Sequence, residues 1–439
     1  MNVTEAVPVA DDLARRVIET RRDLHRFPEL GLTEFRTAGT IAARLQDLGI
    51  DVRAGRDVME ERSIVGRPSE AEMQTAYDRA RDGSSLAPWL EKFKGGLTGV
   101  VGTLRGLLPG PVVALRCDTD ALPILECAES DHYPAQHGFE SAYRGVMHAC
   151  GHDAHVAIGL AVAEVLSAMR ERIHGTIKFV FQPAEEGGRG AVPMKDAGVV
   201  DDVDYLIAIH IGTNSESGVF YPVVHGHLAS VKLDVTFEGR ASHAGGRPEE
   251  GRNALLGAAQ AVMGLYAISR HHAGRSRVNV GVMRAGSGRN VIPGDAFFAM
   301  EVRGETEDIC DYMAQRAEQV IRGAAQAHDL QATIETVGRT TTASCDRPLA
   351  EAGARAAATV PGLRVTLDPH VSGGSEDATY LMRRVQECGG QAIYACVGSK
   401  TTSGHHTPRF DIEESDIVPA VRALATAILA VGEAPPQRA

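Results

Sequence analysis

Three apolar, β-branched runs in the first half of this chain each carry residues that bind metals or move protons at their C-terminal ends. GPVVALRCD ends in Asp118-Thr119-Asp120, TIKFVFQPAEEG delivers Glu185 and Glu186, and YLIAIHIG delivers His210. Such runs, bounded by Gly and Pro, read as strands. Open α/β sheets keep their sites beyond the carboxyl ends of their strands, so three successive ends of this kind argue for one shared site on one sheet. Taken alone, Asp118-Thr119-Asp120 reads as a solvated loop and Glu185-Glu186 as a charged turn; the repetition carries the weight. Ahead of the second run lies MHACGHDAH, residues 147–155, with a thiol, three imidazoles and a carboxylate, leading directly into the helix-patterned AHVAIGLAVAEVLSAM. A chance cluster in a chain with 17 His is the bland alternative, and the matching residues at downstream element ends argue against it.

At 439 residues the chain is too long for one typical core, so two domains are expected. After a short disordered start, residues 10–48 carry two helical patterns separated by Pro28, the second stopped by Gly49. A segment of about 58–95, containing the only Trp, Trp89, reads as a helical insertion between strands. It either covers a cleft or decorates the surface. From 227 the pattern changes to period-two strands around amphipathic helices in β-α-β-β-α-β order, a compact sheet-and-helix unit inserted in the chain. The α/β pattern resumes near 339. The expected division is therefore 1–226, 227–338 and 339–439, with the two outer parts forming one domain and a frayed tail after the last helix.

Composition narrows the function. A net charge of -12, from 45 basic and 57 acidic residues, excludes the basic face of a nucleic-acid binder. The N-terminus lacks the charged and apolar regions of a signal peptide, and no uninterrupted apolar run approaches ~20 residues, so no membrane partner is expected. Seven cysteines without framework spacing read as reduced thiols in a cytoplasmic protein.

A hydrolytic two-ion site needs ligands from separate segments, a bridging group and an open position for water. Cys150, His152, Glu186, His210 and a C-terminal His supply such a set. Thiolate and imidazole favour Zn²⁺ while carboxylates admit Mn²⁺, so ligand type leaves the metal open. Adjacent glutamates past a strand end suit a division of labour in which one binds metal and the other acts as general base.

HACGHDAH, FQPAEEG, ASHAGGRPEEGRNAL, AGSGRNVIP and HHTPRFDIEE together resemble the M20 metallopeptidase family, in its amidohydrolase branch of amino-acid-conjugate hydrolases. The resemblance runs from DLHRFPELGLTEFRTA to the final helix, and the 58–100 insertion with VDDVDYLIAIHIGT is most similar to one subunit type of aminobenzoyl-glutamate hydrolase. It implies an α/β fold: a mixed-sheet, zinc-peptidase-like catalytic domain with an inserted α+β, ferredoxin-like lid and dimerisation domain. It further implies two divalent metal ions, Mn²⁺ or Zn²⁺, with Cys150 as the bridge and His152, Glu186, His210 and His406 completing the shells. Glu185 would be the general base, and His243 the lid-domain His that reaches a neighbouring subunit's site and steadies the oxyanion. Asn290 and Arg303 would hold the substrate carboxylate, and Asp120 would support a ligating imidazole. The oligomer would be a homodimer, or a heterodimer with a related subunit, through the lid domain.

Several residues invite more than one reading. Of His405 and His406, the His-Thr/Ser-Pro-x-Phe pattern selects the second. His148 and His155 are expected to make local hydrogen bonds, and His271-His272 to cap a helix end. Arg289 binds substrate or pairs with an acid; Asn290 and Arg303 have structural alternatives in the sheet. Glu376-Asp377, after Ser372-Gly373-Gly374-Ser375, lines the cleft or forms a turn, and Cys117 is packed. The expected activity is a metal-dependent amidohydrolase cleaving N-acyl amino acids, with an aromatic acyl group and an acidic amino acid such as p-aminobenzoyl-glutamate. Hydrolysis of indole-3-acetyl-aspartate, of other N-acyl amino acids or of dipeptides is the alternative within the class. The rivals outside it are a thiol-nucleophile enzyme using Cys150 with His152 and an inactive partner subunit.

Overall fold

In the computed structural model, which describes residues 5–435 except 82–85, 214–215, 369 and 373, the three strand-end motifs lie on one eight-stranded mixed sheet. Its order is Asp51–Ala54, Val100–Arg105, His174–Gln182, Leu108–Asp118, Tyr205–Ile211, Gln391–Val397, Val219–Tyr221, Arg364–Val365. The four central strands run parallel, so Gln182, Asp118, Ile211 and Val397 all end at the same edge. Parallel strands are covered on both faces, which explains their near-continuous apolar sequence; every residue of Tyr205–Ile211 is buried. Helix His152–Ser167 is buried everywhere except at Glu164 and Ser167, because it lies between the sheet and the helices Asp11–Arg26 and Ile417–Gly432, enclosed as a helix apolar all round must be.

The described residues divide into two units, one comprising 1–225, 343–372 and 377–439, the other 226–342 with 373–376. In the second, a four-stranded antiparallel sheet has the order Ser276–Ala285, Asp295–Gly304, Ala229–Glu238, Gln331–Thr340. Helices Ala254–Tyr266 and Glu307–Ala327 cover one face. The alternating burial of Asp295–Gly304 is the period-two pattern of a half-covered strand.

Two expectations need correction. The start of the chain is ordered from Glu5: Val7 and Val9 are buried, and the Val7 N–H donates to Thr426 Oγ1 at 3.0 Å. Helix Ala254–Tyr266 ends before His271-His272, so that pair caps nothing; the His271 ring instead accepts the Ala273 N–H in the turn into the next strand. One helical stretch, Glu414–Gly432, is long and apolar enough to cross a bilayer, and 67% of it is buried in the core, which accounts for its composition. The segment between Asp51–Ala54 and Val100–Arg105 is helical, with Glu70–Arg81 as its main element; its residues 82–85 lie outside the described residues.

Behind helix His152–Ser167 sits a buried ionic cluster. Arg21 pairs with Asp153, Asp411 and Glu414. His25 lies 2.9 Å from both Asp153 Oδ2 and Glu126 Oε1. Burial opposes charge on His25, but the two carboxylates outweigh it and raise its pKa to about 9. The folded value exceeds the ordinary value of about 6.5, so this stabilisation is complete below about pH 6.5 and is lost as the pH rises through 9; linkage sets it at up to about 3 kcal/mol. Thermal melts of the wild type should therefore show Tm falling between pH 6.5 and 9.5 more steeply than melts of His25→Gln; equal slopes would refute the linkage.

Candidate active site

The Cys150–His152 segment is held at the carboxyl edge of the sheet by glycine. Gly151 has φ +91 and starts the His152–Ser167 helix. A Cβ there would lie 2.9 Å from Ile211 Cγ2 at the end of the neighbouring strand. Only glycine tolerates both the conformation and the approach. On one side of it the Cys150 thiol points to His210 Nε2 at 3.4 Å and His405 Nδ1 at 3.4 Å.

Three imidazoles share one arrangement. His152 Nδ1–H donates to the Asp120 main-chain carbonyl at 2.9 Å, His210 Nδ1–H to the Ile211 carbonyl at 2.8 Å, and His405 Nε2–H to the Gly212 carbonyl at 2.8 Å. Each carbonyl fixes the tautomer and leaves the other nitrogen bare, as in imidazoles that ligate metals. His152 Nε2 is buried and has no hydrogen-bond partner. It lies 3.7 Å from Asp118 Oδ1 and 3.9 Å from Glu186 Oε1.

The two glutamates are placed by Asp120, whose Oδ1 accepts the Glu185 N–H at 2.9 Å and Oδ2 the Glu186 N–H at 3.1 Å. His406 Nε2 reaches Glu186 Oε2 at 3.3 Å from a half-exposed ring. The ligand atoms fall into groups within 4.8 Å: Cys150 with His152 and His210, Cys150 with Glu186 and His406, and His152 with Glu185 and Glu186. Cys150 belongs to two of them. Bare imidazole nitrogens, a thiol and carboxylates converging from four segments fit a borderline divalent metal.

Electrostatics point the same way. Burial and the nearby Glu186, Glu185 and Asp118 carboxylates push the Cys150 thiol well above its ordinary pKa. Burial would depress His152, but Asp118, Asp120 and Glu186 raise it to about 10. The cluster favours a cation, and it disfavours the free thiolate that a cysteine nucleophile needs.

Other expected residues have definite places. His155 is hydrogen-bonded to Asp118 and accepts the Ile211 N–H at 2.9 Å. His148 is buried with neither ring nitrogen partnered, against the expected hydrogen bond, and burial lowers its pKa to about 3. Asp377 is buried; its Oδ2 accepts the Gly190 and Ala191 N–H groups and its Oδ1 the Gln182 amide, so it braces the loop after the glutamates. Gly373, in the adjoining motif, lies outside the described residues. Cys117 is packed and buried.

In the second unit His243 pairs with Val291 across a two-stranded ribbon, and the Ala244 N–H donates to the Asn290 carbonyl at 3.0 Å, setting Asn290 beside His243. The His243 Nδ1 accepts the Gly245 and Gly246 N–H groups at 3.1 and 3.0 Å, so the neutral ring carries its proton on Nε2. Arg289 is exposed, whereas the Arg303 guanidinium is held by Glu301 at 2.8 and 3.1 Å.

The Asp118–His155 pair and the Arg116–Asp118 ion pair at 2.7 Å were not legible as site residues, and neither was the approach of His405 to Cys150. The only signal for the first was the spacing of His155 three residues beyond His152, one turn along the same helix face.

Gly151→Ala combines a left-handed conformation with a contact to Ile211. It should cost about 1–3 kcal/mol and shift both Cys150 and His152, so melting and metal titration should show a lower Tm and weaker metal binding together. Unchanged metal affinity would contradict the placement.

Known proteins resemble this chain in sequence and fold. Residues 114–430 match the model of Peptidase family M20/M25/M40. The chain is 46% identical over 428 residues to an indole-3-acetyl-aspartic acid hydrolase of Enterobacter agglomerans, covering 96% of this chain and 98% of the other. It is 45% identical over 420 residues to a p-aminobenzoyl-glutamate hydrolase subunit of Escherichia coli K12, covering 95% and 96%. The crystal structure of an aminobenzoyl-glutamate utilization protein from Klebsiella pneumoniae superposes with a TM-score of 0.81 at 42% identity, covering 95% of this chain and 96% of that one. A bare-nitrogen histidine set around Cys150, the paired glutamates on Asp120 and a match across most of the chain place this protein in the M20/M25/M40 peptidase family.

Proposed function

We propose that this chain hydrolyses the amide bond of N-acyl amino acids that join an aromatic acyl group to an acidic amino acid, p-aminobenzoyl-glutamate first among them. The observation that carries the reading is Glu185, fixed through its N–H to Asp120 beside a ligand set grouped around Cys150. Two relatives of nearly equal identity are named for conjugates of glutamate and of aspartate. That supports the acidic amino acid and keeps indole-3-acetyl-aspartate as the second reading.

Cys150, His152, Glu186, His210 and His406 would hold two divalent ions, Mn²⁺ or Zn²⁺. When bound, the ions polarise the amide carbonyl and make water acidic enough to attack it. Glu185 takes the proton of the attacking water and hands it to the leaving nitrogen, so one carboxylate serves as base and then acid. Asp120 acts through its hydrogen bonds, orienting His152 and both glutamates. His243, protonated on Nε2 by its contacts with Gly245 and Gly246, would donate to the developing oxyanion in a neighbouring subunit's site. Asn290, beside it, and exposed Arg289 are the better candidates for the substrate carboxylate; Arg303 would first have to release Glu301.

The 226–342 unit serves in this reading as lid and dimerisation domain. Its edge strand Ser276–Ala285 exposes Val282 and Met283, and helix Ala254–Tyr266 exposes Leu256, Met263 and Tyr266. An unpaired edge beside an apolar face suits a second copy or a related subunit. All seven cysteines are free, in keeping with a cytoplasmic setting.

The test is a panel of N-acyl glutamates and aspartates assayed after chelation and reloading with Mn²⁺ or Zn²⁺. Glu185→Ala should keep its metal content and lose about 10²–10⁴-fold in kcat; retained turnover would refute the assignment. Absence of turnover in the metal-loaded wild type across the panel would favour an inactive partner subunit. Met263→Glu should shift a sedimenting dimer toward monomer, and an unchanged dimer would place the interface elsewhere.

A further inference from the structure

The loop of residues 28–35, between the first two helices, supplies the back wall of the turn that presents Glu185 and Glu186. Glu34 is fully buried, and its Oε1 accepts the Ala184 N–H at 2.8 Å across 150 residues of sequence. Its Oε2 accepts the Thr98 hydroxyl at 2.6 Å. Ala184 has φ +53, a left-handed conformation rare outside glycine, directly before the two glutamates. Such a conformation persists only where its surroundings over-determine it.

Those surroundings are specific. A Cβ on Gly31 would lie 2.9 Å from Ala184 Cα and Cβ, so the loop packs against the turn at glycine distance. Leu30 bridges to Ala121, and the Ala121 N–H donates to the Glu29 carbonyl at 2.8 Å, tying the same loop to the residue after Asp120. Glu29 in turn accepts the Arg36 and Thr37 N–H groups at the start of the following helix, which anchors the loop from its other end.

We propose that Glu34 is a positioning residue of the hydrolytic site: with Asp120 it clamps three consecutive N–H groups, those of Ala184, Glu185 and Glu186, and so sets the aim of the Glu185 carboxylate. The inference rests on the hydrolase reading above for its effect on turnover, while the clamp itself is independent of it. Burial and the neighbouring Asp120 carboxylate push the Glu34 carboxyl up to about 8. A glutamine offers Ala184 the same carbonyl acceptor and keeps the Thr98 hydrogen bond with its direction reversed, the amide donating to the hydroxyl.

The experiment compares Glu34→Gln, Glu34→Asp and Glu34→Leu in the full chain, loaded with Mn²⁺. It reads amide hydrogen exchange over residues 180–190, metal content, and kcat and KM for p-aminobenzoyl-glutamate. Asp and Leu remove the acceptor from Ala184 and should speed exchange at 184–186 and lower kcat about 100-fold, with KM and metal content unchanged, while Gln stays within about threefold of wild type. A residue that merely supported folding would lower Tm and leave kcat per metal-loaded chain intact. Wild-type exchange or wild-type kcat in the Asp variant overturns the proposal, as does a loss beyond tenfold in the Gln variant. Should Leu fail to fold, the Asp and Gln pair decides. Should the wild type turn over no conjugate, the hydrolase reading fails, and the exchange rates alone decide whether Glu34 holds the turn.

Discussion

The main-chain carbonyl of Asp120 accepts Nδ1–H of His152 while its two carboxylate oxygens accept the N–H groups of Glu185 and Glu186. One residue at a strand end thus orients an imidazole and fixes two carboxylates that belong to a different strand end. This works because the strands ending in Asp118 and Gln182 are parallel neighbours, in register at those two residues. If that pairing slipped by one residue, Asp120 would face the wrong amides, since side chains alternate with period two. The chemistry of the site therefore depends on sheet register before it depends on any single ligand.

The second constraint is charge. Asp118, Asp120, Glu185 and Glu186 converge around His152, and Asp118 is paired with Arg116. Buried carboxylates this close destabilise one another unless a cation or a proton joins them. The raised His152 and Cys150 pKa values are two expressions of that one field. A divalent ion held there would relieve it by taking the place of protons, which would couple metal affinity to pH and to the folding of the surrounding loops. His152 and His210 are ready for that exchange, because main-chain carbonyls hold both in the ligating tautomer.

The second unit applies similar logic with less burial. Two glycine amides set the His243 tautomer, and the ribbon pairing sets Asn290 beside it. Its edge strand Ser276–Ala285 exposes Val282 and Met283, and helix Ala254–Tyr266 exposes Leu256, Met263 and Tyr266.

The sequence by itself determined the elements and the chemistry they carry. Fully apolar runs became central parallel strands, and alternating runs became half-covered antiparallel ones. The residues at the strand ends met at one edge because parallel strands have no other way to present their carboxyl ends. The Cys150–His152 cluster was legible because its ligands are local, two residues apart at a helix start. Contacts of long range were not legible. Glu34 reaching Ala184, Asp377 bracing Gly190, His405 approaching Cys150 and Asp118 pairing with His155 depend on which loops pack together, and periodicity carries no information about that. The same limit explains His148 and Arg303, whose side chains suggested hydrogen bonding and substrate binding. Tertiary packing buried the first without a partner and gave the second to Glu301. Local patterns fix what a segment can be, and only the packed chain decides which distant polar groups a buried side chain will meet.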